Sequence, residues 1–88
     1  AVSPDGSRVY VANGHANSIS VVDPRAQREI AVVPVGRRPW GVDISRDGKF
    51  IYTANGGSND VSVIDAATLT VIGTIPVGER PWGVALTH

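Results

Sequence analysis

The 88-residue sequence has no cysteine, no methionine, one phenylalanine and no net charge. Without cysteine, disulfides, thiolate metal sites and a cysteine nucleophile are excluded together, and either a reducing or an oxidising compartment remains open. Eight basic residues balance eight acidic ones. That leaves no basic field for a nucleic acid backbone and no acidic block for a cationic partner. No apolar run approaches the roughly 20 residues of a membrane helix, and no basic stretch leading into an apolar one marks an export signal within these residues. His15 and the terminal His88 are the only histidines, too few to assemble a metal site by themselves. No G-x-S-x-G elbow, H-E-x-x-H pair or glycine loop ending in lysine occurs. The residues therefore lean away from an enzyme and call for no cofactor. The lack of methionine, with Ala1 falling inside what reads as a strand, suits a stretch of a longer polypeptide or an excised piece.

What the chain does have is a repeat. "RRPWGV" at Arg37 to Val42 returns as "ERPWGV" at Glu79 to Val84, and residue i lies over residue i+42 without a gap from Ala1/Asp43 to Val42/Val84. Twenty of those 42 pairs are identical, among them Asp5/Asp47, Gly6/Gly48, Tyr10/Tyr52, Asn13/Asn55, Asn17/Asn59, Asp23/Asp65 and Pro34/Pro76. A period near 40 residues belongs to solenoids, propellers and arrays. Within one period the signals are those of an all-β meander, with no sustained helical periodicity. Strand a is expected at 40–45 and ends at Asp47-Gly48, which supplies the positive φ of a tight turn. Strand b follows at 50–54, with its copy at 8–12, strand c at 61–65 and 19–23, and strand d at 71–77 and 29–35. Pro34 and Pro76 cannot donate to a ladder, which puts strand d at a sheet edge.

Four antiparallel strands with the last at an edge describe a β-propeller blade. Strand b is apolar at both parities (Val9 to Ala12; Phe50 to Ala54), so both of its faces must be covered, as happens when each blade packs between two others. The chain divides into blade repeat 1 at 1–39 (the end of strand a, then b, c and d), blade repeat 2 at 40–81, and strand a of the next blade at 82–88. Propellers have about 4 to 8 blades, and this chain holds two blades' worth of a larger one, with about 6 to 8 expected. At roughly 25 cal/mol per Å² of apolar surface, several hundred exposed Å² on each end blade forfeits as much as a small domain's stability. The expected partners are therefore further blades, from the same chain or from homo-oligomer copies. Three or four identical copies would close a ring.

"VYVANGHANSISVVD" and "IYTANGGSNDVSVID", each followed by "VPVG" or "IPVG" and then "RPWGV", resemble the YVTN family of β-propeller repeats. The resemblance extends to quinoprotein-associated, nitrite-reductase-type and surface-layer propellers of bacteria and archaea, and it covers essentially the whole chain. Val11 and Thr53 give "YVAN" and "YTAN", so neither copy spells the family name in full. The resemblance implies a periplasmic or extracellular location. Fold does not carry function with it, and three readings follow. The first is a non-catalytic scaffold for protein or ligand binding. The second is the propeller domain of a periplasmic oxidoreductase or haem- or quinone-handling protein. The third is a lactonase-like metal-dependent hydrolase, to which only Asp43 hints. The docking motif of quinoprotein dehydrogenase repeats is missing around "RPWG", which speaks against a quinoprotein catalytic subunit.

In a meander, the b to c loops and d to a connections share one end of the blade, and the a to b and c to d turns share the other. The first end collects the candidate ligand residues: Arg38, Trp40, Arg80, Trp82, His15, Asn17, Asn59 and Asp60. Cations and indoles at a channel mouth could hold an anionic or flat aromatic molecule. Set against this, residues repeated in every blade are usually structural. Trp40 and Trp82 then wedge between blades, Arg38 and Arg80 pair with a neighbouring blade, Asn13 and Asn55 bond to their own loop backbone, and Asp23 and Asp65 organise the c to d turn. His15 stands apart, because Gly57 takes its place in the second repeat.

Overall fold

The computed structural model describes residues 1–77, and over them the chain is all β. The first repeat supplies β1 (Val9–Asn13), β2 (Ser18–Asp23) and β3 (Arg28–Pro34). The second supplies β4 (Pro39–Ile44), β5 (Phe50–Asn55), β6 (Asp60–Asp65) and β7 (Thr70–Pro76). Each set forms its own antiparallel sheet in sequence order, β1-β2-β3 and β4-β5-β6-β7. The strands expected between residues 8 and 77 are present, each end within about one residue of its expected place, with β1 and β5 running on to the asparagines. The proline-bearing β3 and β7 lie at sheet edges as expected, since no described strand pairs with the side on which their missing donors fall. Strand a of the first repeat is reduced to an antiparallel bridge between Val2 and Val9, framed by the Ala1 amine donating to the Tyr10 carbonyl (2.9 Å) and the Tyr10 amide donating to the Ala1 carbonyl (2.7 Å). The expected strand a at 82–88 lies outside the described residues.

The turns have local causes. In each a to b turn a serine hydroxyl and an aspartate close the loop. Ser3 Oγ donates to Asp5 Oδ1 (2.8 Å), and the Ser7 amide and hydroxyl donate to the same oxygen (3.0 and 2.7 Å). In the copy, Ser45 Oγ (2.6 Å) and the Lys49 amide (3.0 Å) donate to Asp47 Oδ1. Gly6 and Gly48 follow at φ +75°, where a side chain is disfavoured. These donors hold the Asp5 carboxyl down at about 2, the Ser7 amide contributing most, and also lower Asp47, for which the Ser45 hydroxyl is the main cause. The c to d turns are held by Asp23 and Asp65, as expected. Asp23 Oδ1 accepts from the Arg25 and Ala26 amides, and Asp65 Oδ1 from the Ala67 and Thr68 amides. Each turn returns through a left-handed residue, Gln27 (φ 54°) or Leu69 (φ 56°).

Register sorts the side chains into faces. Tyr10 lies opposite Val21, which lies opposite Ala31, and Ala12 opposite Ile19, which lies opposite Val33. This face of blade 1 packs on Ile44, Ile51 and Ile64, which lie in one row across β4, β5 and β6 of blade 2. The core is therefore the joint between blades. Ile19, Val21, Ile51 and Ile64 are fully buried in it, each worth about 1.5–3 kcal/mol relative to exposure. The equivalent outer faces are covered less. Val33 is 3% exposed in the joint, whereas Ile75, its copy on the free face of blade 2, is 51% exposed. On the opposite free face, Val11 and Val32 of blade 1 are 44% and 51% exposed.

Candidate functional site

The link from β3 to β4, Val35 to Arg38, crosses between the b to c loops of the two blades and is tied to both. On the blade 1 side the Val35 amide donates to the Asn17 carbonyl (3.0 Å) and the Arg38 amide to Asn17 Oδ1 (2.9 Å). On the blade 2 side the Arg37 amide donates to Ser58 Oγ (3.0 Å), while the Arg37 and Arg38 carbonyls accept from the Gly57 and Gly56 amides (2.9 and 3.0 Å). Arg38 takes φ 48°, a left-handed conformation uncommon for a residue with a side chain, and its amide and carbonyl are both fixed by these bonds. The link passes so close to blade 2 that glycine is required on both partners. A Cβ on Gly36 would lie 2.5 Å from Ser58 Oγ and 2.6 Å from Asn55 Nδ2, and one on Gly57 would lie 2.8 Å from Arg37 Cβ.

Beneath this crossing Asn55 is fully buried. Its amide donates to Asp60 Oδ1 (2.8 Å) and Ser62 Oγ (2.9 Å), and Thr53 Oγ1 donates to its Oδ1 (3.2 Å). Asn13 likewise donates to Ser18 and Ser20, and Ser20 Oγ donates to Glu29. The expectation that these asparagines bond to loop backbone is corrected: their amides reach side chains on strand c, because β1 and β5 extend far enough to carry the asparagine into the ladder.

The crossing leaves a cleft of about 310 Å³ lined by Gly14, His15, Asn17, Arg37, Arg38 and Gly57. The structure thus brings together three of the sequence-derived candidates, His15, Asn17 and Arg38, all exposed. It adds Arg37, whose position in the link the sequence reading recognised without singling it out. Trp40 does not line the cleft. In the joint between the two described blades Pro39 is the fully buried residue of this stretch, and Trp40 is 49% exposed. Asn59 (φ 55°) repeats Asn17, its carbonyl accepting from the Val77 amide (3.0 Å). Asp60 turns inward, its Oδ1 engaged by Asn55 and by Ser58 Oγ (2.8 Å). Arg80 and Trp82 lie outside the described residues.

The opposite end has a larger hollow, about 620 Å³, bordered by Asp5, Arg8, Asp47, Lys49 and Asp65. Its three carboxylates are committed to their own turns, and Arg8 donates to the Ala66 carbonyl (3.2 Å) across the joint. The charges there build the fold, whereas the guanidinium groups of the smaller cleft are exposed. Among the described residues no three His, Cys, Asp or Glu side chains gather as a metal site. Asp43 Oδ1 accepts the Ile44 amide (2.8 Å). Sequence reading missed Gly36 and Ser58. Gly36 had a signal, its recurrence as Gly78, but Ser58 is Ala16 in the first repeat and left none.

Known structures share this fold. A hydrazine synthase chain from Kuenenia stuttgartiensis is 36% identical over 93% of this chain and 23% of its own length, with a TM-score of 0.91. The dihydro-heme d1 dehydrogenase NirN is 26% identical (89% of this chain, 17% of that one, TM-score 0.78). A putative 6-phosphogluconolactonase from Bacteroides fragilis is 24% identical (94% and 26%, TM-score 0.81), a likeness of fold alone. The chain thus spans about a quarter or less of each of these proteins. No curated protein matches it. The YNCE-like beta-propeller family matches residues 2–88, and the chain belongs to that family.

Proposed function

We propose that the chain is a non-catalytic propeller segment that binds an anionic group in the cleft at its b to c end and stacks against further blades. One observation carries this: Arg37 and Arg38 stand exposed beside His15 while their backbones are locked by four hydrogen bonds to both blades. Guanidinium groups on a fixed backbone suit carboxylate or phosphate recognition, since less is lost in ordering them. The strain at Arg38 supports the same reading, because glycine would meet the backbone requirement without it. YVTN-type repeat character and a periplasmic or secreted setting complete the proposal, both resting on the sequence resemblance. Titrating inorganic pyrophosphate while recording the His15 imidazole signals by NMR tests the cleft. The expected result is a saturable shift that disappears in Arg38→Gly, which keeps the left-handed backbone accessible. An unchanged His15 spectrum at millimolar pyrophosphate overturns it.

A second reading has its own support. The 36% identity to a hydrazine synthase chain and the likeness to NirN favour a blade pair from an oxidoreductase or cofactor-handling propeller. A visible absorption band in the purified parent protein would favour it over the scaffold. The lactonase reading gains nothing from Asp43, which belongs to no group of three or more His, Asp or Glu side chains among the described residues.

A further inference from the structure

Asn-Gly occurs twice at equivalent places, Asn13-Gly14 and Asn55-Gly56, each where a strand b ends. In this pair the backbone nitrogen can attack the asparagine side chain, because glycine puts no side chain in the way and asparagine is thermally labile. The two copies stand in different surroundings. Asn55 is fully buried, its Oδ1 accepts from Thr53 Oγ1 (3.2 Å), and its Nδ2 donates to Asp60 Oδ1 (2.8 Å) and Ser62 Oγ (2.9 Å). The Gly56 amide that would attack it is buried as well and donates to the Arg38 carbonyl (3.0 Å). In the first copy Val11 replaces Thr53 and Ser18 replaces Asp60. No described group donates to Asn13 Oδ1, and of the two bonds from its Nδ2, the one to Ser18 Oγ is long at 3.3 Å. The Gly14 amide has no hydrogen-bond partner among the described residues, and Gly14 lines the open cleft.

We propose that Asn13-Gly14 is a self-modification site, where asparagine converts to aspartate or isoaspartate without an enzyme, while the fold holds Asn55-Gly56 inert. The Asn13 side chain first leaves Ser18 and Ser20, a movement that fraying of the strand end permits. The Gly14 nitrogen then loses its proton and bonds to Asn13 Cγ. The Cγ–Nδ2 bond breaks, and Nδ2 departs as ammonia with that proton. Water opens the resulting cyclic imide at either carbonyl. Breaking the bond from the Gly14 nitrogen to Cγ gives aspartate, and breaking its bond to the backbone carbonyl carbon of residue 13 gives isoaspartate. One water enters, one ammonia leaves, and nothing is oxidised or reduced. The product acts on the loop that carries His15. Asn13 Nδ2 donates to Ser20 Oγ (2.6 Å), which donates in turn to Glu29 Oε2 (2.6 Å). A carboxylate at position 13 cannot donate, so the single Ser20 proton is left between two carboxylates. Their repulsion loosens the end of the β1-β2 ladder and with it the Gly14 to Asn17 turn beside the cleft.

Peptide mapping by mass spectrometry tests this on the 88-residue chain incubated in mildly alkaline buffer. Trypsin cleavage after Arg8, Arg25 and Lys49 puts the two asparagines on different peptides, and fragment spectra separate Asn13 from Asn17. The Asn13 peptide is expected to gain about one mass unit and to divide into two species of equal mass, at least about tenfold faster than the Asn55 peptide changes. In urea both asparagines are expected to convert at similar rates, since the fold and not the dipeptide separates them. In Gly14→Ala the new Cβ meets only the Pro39 carbonyl, at 3.6 Å, so the fold is kept. That variant is expected to slow conversion at Asn13 by about tenfold or more, because a side chain now hinders the attacking nitrogen. Asn13 staying intact in the folded chain, or converting no faster there than Asn55, overturns the proposal. So does a difference between the two that persists in urea, or conversion of Gly14→Ala at the wild-type rate.

Discussion

Replacing Gly36 by alanine tests the closeness of the link to blade 2. The backbone at Gly36 has no positive φ, so by conformational entropy alone alanine would stabilise the fold by about 0.4–1 kcal/mol. The contacts oppose this. The new methyl group would sit 2.5 Å from Ser58 Oγ, 2.6 Å from Asn55 Nδ2 and 2.8 Å from Asn55 Cγ. Asn55 cannot retreat, because it is fully buried and its amide is shared between Asp60 and Ser62. Overpacking a tight site costs about 1–3 kcal/mol, and losing one of the buried amide's partners costs about 1–3 more. Allowing for the entropy gain, Gly36→Ala is expected to destabilise by about 2–4 kcal/mol. Gly14→Ala is the internal control: its Cβ would lie 3.6 Å from the Pro39 carbonyl, an ordinary contact, and the expected change is within about 0.5 kcal/mol. Urea denaturation of both variants measures the difference. Equal midpoints for the two would refute the reasoning, because they would mean that the link does not press on Asn55.

Other consequences follow from the same joint and turns. Val33→Ala, which removes apolar volume from the joint between blades, is expected to cost about 1.5–3 kcal/mol, measured by thermal denaturation. Asn55→Ala should cost at least about 1–3 kcal/mol, as it leaves the buried side of Asp60 and Ser62 without their donor. Asp5 has a carboxyl pKa depressed in the folded chain, so the stability it contributes is complete above its ordinary value near 3.8 and is lost as pH falls through about 2. Asp47 is shifted in the same direction. Asp5→Asn with Asp47→Asn is therefore expected to flatten the dependence of melting temperature on pH below about 4, and an unchanged slope there would count against the two turns.

Most of the fold could be read from the sequence because its signals were local. Asp-Gly before a positive φ, proline near the end of strand d, and apolar residues at both parities of strand b each have a short-range physical cause. The 42-residue register then multiplied that information. The identity of the buried residue in "RPWG" was not legible. Proline and tryptophan are adjacent at the start of β4, and nothing local says which of them meets blade 1. The asparagine partners were also hidden, since a bond to loop backbone and a bond across to strand c look alike until the strand's length is known. For the cleft, the alternation of turns in a meander placed His15, Asn17 and Arg38 at one end. Their meeting in one crevice depends on the link lying between two loops, a tertiary fact. Gly57 was informative only by comparison, as the residue that His15 replaces.

The central claim is that this chain is a run of consecutive blades whose outer faces require other blades. Size-exclusion chromatography with light scattering on the purified 88-residue chain addresses it most directly. The account expects self-association, or aggregation where closure fails, with no stable folded species at the single-chain mass of 9.2 kDa. A cooperatively folded monomer of that mass, persisting without association as concentration rises, would contradict it.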